Sequence, residues 1–65
     1  MTAYEICDTA ANAKQLQAAI DRFDLGLIVL RHGKKGWALT DRGNVIATGD
    51  WSYIRRRVAK TAEYA

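Results

Sequence analysis

Ala13, Leu16, Ala19, Ile20 and Phe23 recur at the spacing of one helical face. Asn12 stands where a cap would accept a free helix amide, and Gln15, three residues on, sits where a capping-box partner belongs. Gly26 follows Asp24 and Leu25 as a stop signal. The pattern predicts a helix from about Asn12 to Asp24, one turn longer if Thr9-Ala10-Ala11 joins it. Ahead of it, Tyr4-Glu5-Ile6-Cys7 alternates weakly and is read as a short leading edge strand.

The middle of the chain changes period. Leu27-Ile28-Val29-Leu30 is a β-branched and aliphatic run that ends at Arg31-His32-Gly33-Lys34-Lys35-Gly36, the composition of a hairpin loop. Trp37-Ala38-Leu39-Thr40 follows as a second strand. Asp41-Arg42-Gly43-Asn44 is turn chemistry, and Val45-Ile46-Ala47-Thr48 makes a third strand. Gly49-Asp50 then ends the sheet and caps a second helix. There Trp51, Ile54, Val58 and Ala62 share one face. Arg55, Arg56, Ala59, Lys60 and Glu63 are assigned to the opposite face, with Arg57 at the flank beside Tyr53 and Tyr64.

The expected fold is therefore α+β in the order α-β-β-β-α, a single small domain over 1–65. Its three-stranded antiparallel meander carries both helices on one face. Leu27 and Val29 point to one side of the first strand, and Ile28 and Leu30 to the other. One pair lies beneath the helices. The other is either a contact surface or covered by Arg31 or the leading segment.

Composition narrows the function. At 65 residues with 49% apolar and 26% charged positions, the chain is globular in character. It is too short for a multidomain enzyme or a nucleotide-binding α/β sheet. No run approaches the roughly 18 apolar residues of a membrane span, and the first residues do not read as a signal peptide. Cys7 is the single cysteine, so the domain folds without an intramolecular disulfide and is expected in a reducing cytoplasm. The net charge of +3 conceals an imbalance, −2 up to Gly26 and +5 from Leu27 onward.

Few residues suggest chemistry. Cys7 and His32 are too few for a structural zinc, which needs four good ligands. No spacing supports a Cys7, His32 and Asp41 arrangement for nucleophilic catalysis. Gly33-Lys34-Lys35-Gly36 brackets a strand-to-strand turn, whereas a phosphate loop joins strand to helix. Trp37 and Trp51 are read as core. No enzyme activity, cofactor or small-molecule substrate is expected. What remains is basic: Arg55, Arg56, Arg57 and Lys60 on the second helix, helped by Lys34, Lys35, Arg31 and His32 around the first hairpin. These eight are the expected partner-binding residues. Arginine suits such a role through its bidentate fork to carboxylate or phosphate.

Two resemblances bear on the partner. The α-β-β-β-α order, His32 in the first strand-strand loop and Arg56-Arg57-Val58-Ala59-Lys60 resemble the double-stranded-RNA-binding domain. That family has a histidine in this loop and a Lys-Lys-x-Ala-Lys cluster at the start of its last helix. Here the loop lacks the family's Gly-Pro-x-His form, and the cluster begins inside the helix, after Asp50-Trp51-Ser52-Tyr53. The likeness implies binding to nucleic acid. In size and kind, the chain also resembles the small phage-encoded anti-CRISPR inhibitors. This second likeness implies stoichiometric binding to a protein component of a nucleoprotein machine, and it carries no site residues. The inhibitor reading is placed first and the nucleic-acid module second, with a homodimer compatible with either.

Overall fold

The computed structural model describes residues 1–64, in the order α1 (Ala3–Asp8), α2 (Ala13–Arg22), β1 (Leu27–His32), β2 (Gly36–Asp41), β3 (Asn44–Gly49) and α3 (Trp51–Tyr64). The class is α+β, as the pattern predicts. The leading segment differs: Tyr4 to Cys7 is helical. Thr2 Oγ1 accepts from the Glu5 amide at 3.1 Å, and the Glu5 carboxylate accepts from the Thr2 amide at 3.4 Å. This reciprocal pair is a capping box, and it starts α1. Six residues fall well short of the ~12–15 a helix needs to stand alone in water, so packing on α3 has to hold α1 in place.

In α2, Asn12 Oδ1 accepts from the Gln15 amide at 2.9 Å, as the cap predicts. Gln15 Oε1 accepts from the Ala11 amide, one residue before the cap. The helix stops earlier than expected because Asp24, not Gly26, takes the first left-handed position, at φ 55°. The Asp24 amide donates to Asp21 O and the Leu25 amide to Ile20 O, the paired bonds of a Schellman motif. Gly26 adds a second positive φ, of 70°, and sends the chain into β1.

The strands pair antiparallel in the order β1-β2-β3. Val29, Leu39 and Ala47 align across them, and together with Leu27 they are buried beneath the helices. Helix α2 covers β1, α3 covers β2 and β3, and α1 lies chiefly against α3. Arg42 and Gly43, at φ 53° and 83°, make the tight turn into β3. The register shifts opposite Leu39 and Thr40, leaving Ile46 as the extra residue of a bulge and setting Val45 opposite Thr40.

The outer edge of β1 is closed by a side chain. Gln17 of α2 donates through Nε2 to Leu27 O at 2.9 Å and accepts through Oε1 from the Val29 amide at 3.0 Å. One primary amide thus supplies the donor and acceptor that a further strand would bring. Nε2 also lies 3.3 Å from Asp21 Oδ1. Gln17→Glu removes the donor and turns a carboxylate toward a carbonyl and Asp21. The expected result is a loss of about 1–2 kcal/mol at neutral pH in urea denaturation. The fold favours the protonated form of the introduced carboxyl, because only that form can donate to Leu27 O. Its stabilisation is therefore present at acid pH and lost as pH rises, so the gap to wild type should narrow on acidification.

Candidate functional site

Helix α3 starts at Asp50, whose Oδ1 accepts from the Tyr53 amide at 2.8 Å. Trp51 packs on Trp37 with ring centroids 4.9 Å apart, and both are half-buried at the margin of the core. Ile54, Val58 and Ala62 are buried as the stripe predicts. Two residues assigned to the outer face are not there. Ala59 is 0% exposed, and the Arg55 side chain is only 27% exposed. The buried arc is wider than the apolar stripe because α1 covers that flank of α3.

Arg55 meets α1 there. Its Nε lies 3.8 Å from Asp8 Oδ1, and both atoms are enclosed without a hydrogen-bond partner among the described residues. The separation is that of an ion pair, too long for a hydrogen bond. Truncating one partner should cost more than replacing both, since it leaves the other's enclosed atom without its counter-charge, an effect moderated by the solvent that both side chains still reach. Asp8→Ala alone is expected to lose about 1–2 kcal/mol, and Asp8→Leu with Arg55→Met to match or exceed wild type. Urea denaturation of the single and double variants checks this.

Arg56, Arg57 and Lys60 remain on the solvent side of α3, with Arg56 and Lys60 one turn apart. Among the described residues none of the three side chains makes an ion pair or hydrogen bond. Tyr53 and Tyr64 are exposed on the same helix, and by helical spacing they fall between Lys60 and Arg57.

The hairpin set divides in the same way. The Arg31 guanidinium lies 4.9 Å from the Trp37 ring centroid, and its Nη2 donates to Lys34 O at 2.8 Å. Arg31 is thus held on the helix side, opposite Trp37 in the register, and does not cover the open face. His32, Lys34 and Lys35 are exposed at the tip. Because Trp37 pairs with Gly49, this tip lies at the end of the sheet where α3 begins. Lys60 is nine residues further on, about 13 Å along the helix axis. The eight expected residues therefore form two exposed groups, Arg56-Arg57-Lys60 and His32-Lys34-Lys35, while Arg31, also exposed, is held on Trp37 and Lys34 O, and Arg55 is half-buried against Asp8.

Cys7 is fully buried, and burial pushes its thiol pKa up, which keeps the sulfur protonated and unreactive at neutral pH. Among the described residues no three His, Cys, Asp or Glu come together as a metal-ligand set, and Cys7, His32 and Asp41 form no such group. No pocket opens among them, and no helix is long and apolar enough to cross a membrane.

Behind the helices' side of the sheet lies a second surface. Ile28, Leu30, Val45 and Ile46 are 50, 48, 59 and 43% exposed. Ile28 and Leu30 follow from strand alternation. Val45 joins them across Thr40 only because of the bulge, which no residue of the third-strand run signals. Neither Arg31 nor the leading segment covers this face, since the first sits on Trp37 and the second is α1, packed on α3. Comparison with protein-family models, with curated proteins and with solved structures gives no match.

Proposed function

We propose that the protein is a non-catalytic, stoichiometric binding protein of the anti-CRISPR kind. In this reading it is a small cytoplasmic inhibitor that seats a basic surface on an acidic protein component of a bacterial nucleoprotein machine. The observation that carries the reading is the solvent side of α3, where Arg56, Arg57 and Lys60 project without an acidic partner among the described residues. An arginine desolvated against a carboxylate forms a charge-assisted, often bidentate pair, and losing one partner of such a pair costs roughly 2–5 kcal/mol. The neighbouring tyrosines add the broad amphipathic area that interfaces favour. A cytoplasmic setting suits Cys7, a free thiol on which the core depends.

The basic face also fits nucleic acid, the second reading. It is less favoured because the first turn of α3, where a double-stranded-RNA-binding domain keeps its cations, is here given to Trp51, packed at a tilt against Trp37. The test is affinity capture from bacterial lysate with tagged wild type and with Arg56→Glu/Arg57→Glu/Lys60→Glu, each with and without nuclease. The expected result is a protein recovered in stoichiometric amount that survives nuclease and is absent with the folded triple variant. Recovery of nucleic acid, with affinity falling log-linearly with salt, would favour the nucleic-acid module.

A further inference from the structure

The open face of the sheet has a size, a lining and a charge pattern that together select an occupant. Three strands spaced about 4.8 Å, each six residues long, present roughly 300 Å². That whole face, its polar positions included, is at the lower end of the roughly 300–600 Å² covered by the largest apolar patch of a typical monomer, a patch that is often functional. It is less than half of the ~800 Å² each side contributes to a standard stable interface. Two copies meeting here would bury too little on this patch alone, and each would bring a net charge of +3.

The lining argues for protein. Its large exposed side chains are the aliphatics Ile28, Leu30, Val45 and Ile46, joined by Thr48 opposite Ala38 and by His32 at the hairpin end, and it presents no Phe, Tyr or Trp ring for a base to stack on. Ala38 and Thr40 of the central strand are 3% and 7% exposed although no helix lies over them, because their longer neighbours on β1 and β3 stand above them. The result is a shallow trough along β2, walled by Ile28 and Leu30 on the β1 side and by Val45 and Thr48 on the β3 side. An added strand is a poor occupant: Gln17 holds the β1 edge, and the bulge at Ile46 bends β3. A helix laid along the trough fits, and about 13 residues span its 20 Å length.

The ends of the trough are basic. Lys34 and Lys35 are exposed at one end, and Arg42 at the other occupies a left-handed turn position that asparagine, aspartate or glycine fills at lower cost. Of the nearby acids, Asp50 is turned to the Tyr53 amide, and Asp41 shares the register position of Leu27 on the helix side. We propose that this face docks an amphipathic helix of a protein partner, with an aliphatic stripe along the trough and acidic residues at the ends. The docked helix would complete a helix-sheet-helix sandwich. The surface lies across the sheet from α3 and does not depend on the role proposed for the α3 cations.

The probe is a display library of 14-residue helical peptides selected on the full chain. Enriched sequences are expected to carry aliphatic residues at i, i+3, i+4 and i+7 and acids near their ends. Binding of a selected peptide should fall at least tenfold in Leu30→Glu and in Val45→Glu, each with wild-type circular dichroism, and stay within about threefold in Leu30→Val. Lys34→Glu/Lys35→Glu should weaken it and flatten its salt dependence. The proposal is overturned by no enrichment, by selected peptides without an acidic amphipathic pattern, or by binding insensitive to Leu30→Glu. It is also overturned if sedimentation shows a dimer that Leu30→Glu dissociates, or if crosslinking places nucleic acid on this face.

Discussion

Replacing Leu39 by alanine is expected to leave much of the protein unfolded at 37 °C. Leu39 is 0% exposed, lies on the central strand and is paired with Val29 on one side and Ala47 on the other. A fully buried Leu→Ala change costs about 2–5 kcal/mol, the lost transfer energy plus the cavity left behind. At roughly 0.05–0.15 kcal/mol per residue, a chain of this length has about 3–10 kcal/mol in total. The alanine at position 47 is too small to fill the gap, and the lone cysteine leaves no intramolecular disulfide to compensate. Leu30→Ala, on the other face of the same sheet, removes the same atoms from a half-exposed site and should cost about 1 kcal/mol or less. Urea denaturation of the two variants gives the contrast. Equal midpoints would refute the assignment of faces.

The second large effect is expected at Ala59. Taken from the helical pattern alone, Ala59→Lys would be a near-neutral change on a solvated face. In the fold the position is fully buried, one turn beyond Arg55 on the side turned to α1. A lysine there adds four methylenes where none fit and brings a second cation beside Arg55. The expected loss is about 3 kcal/mol or more, with α1 displaced. Displacement has its own signature, because Cys7 is buried in the core that α1 and α3 share. A thiol reagent should label Cys7 slowly in wild type and rapidly in the variant. Wild-type protection together with a wild-type urea midpoint would refute this packing.

Ala59 also marks where sequence reasoning stops. The sheet, its turns and helices α2 and α3 were legible because each carries a periodic pattern, or turn residues with a fixed conformational role. Helix α1 was not, since six residues are too few for a helical period to emerge and Tyr4-Glu5-Ile6-Cys7 mimics strand alternation. Its usable signal was Thr2-x-x-Glu5, the capping box. Missing α1 then mislaid Ala59 and Arg55, because the width of a buried arc is set by what packs on it. Asp24 took the left-handed position expected nearer Gly26, a role that aspartate's short polar side chain also tolerates. The basic residues were all visible in the sequence, but which of them are engaged elsewhere was not. Arg31 is held through a ring and a carbonyl and Arg55 through a carboxylate 47 positions away, contacts that exist only in three dimensions.

The pairing of the first helix with the last also sets an order of events in time. The α2-β1 contact and both hairpins close short loops, whereas α1 finds its partner only after nearly the whole chain has been brought round. Docking of α1 is therefore the step with the least local help, and its release is the cheapest way for the native state to open in part. Amides of residues 3–8 should exchange with solvent faster than those of β2, through openings that leave the rest assembled. Such an opening bares the α1 side of α3 while Arg56, Arg57 and Lys60 keep their helix and Ile28 and Leu30 keep their sheet. The part of the fold expected to open first is thus separated from both surfaces that a partner would hold.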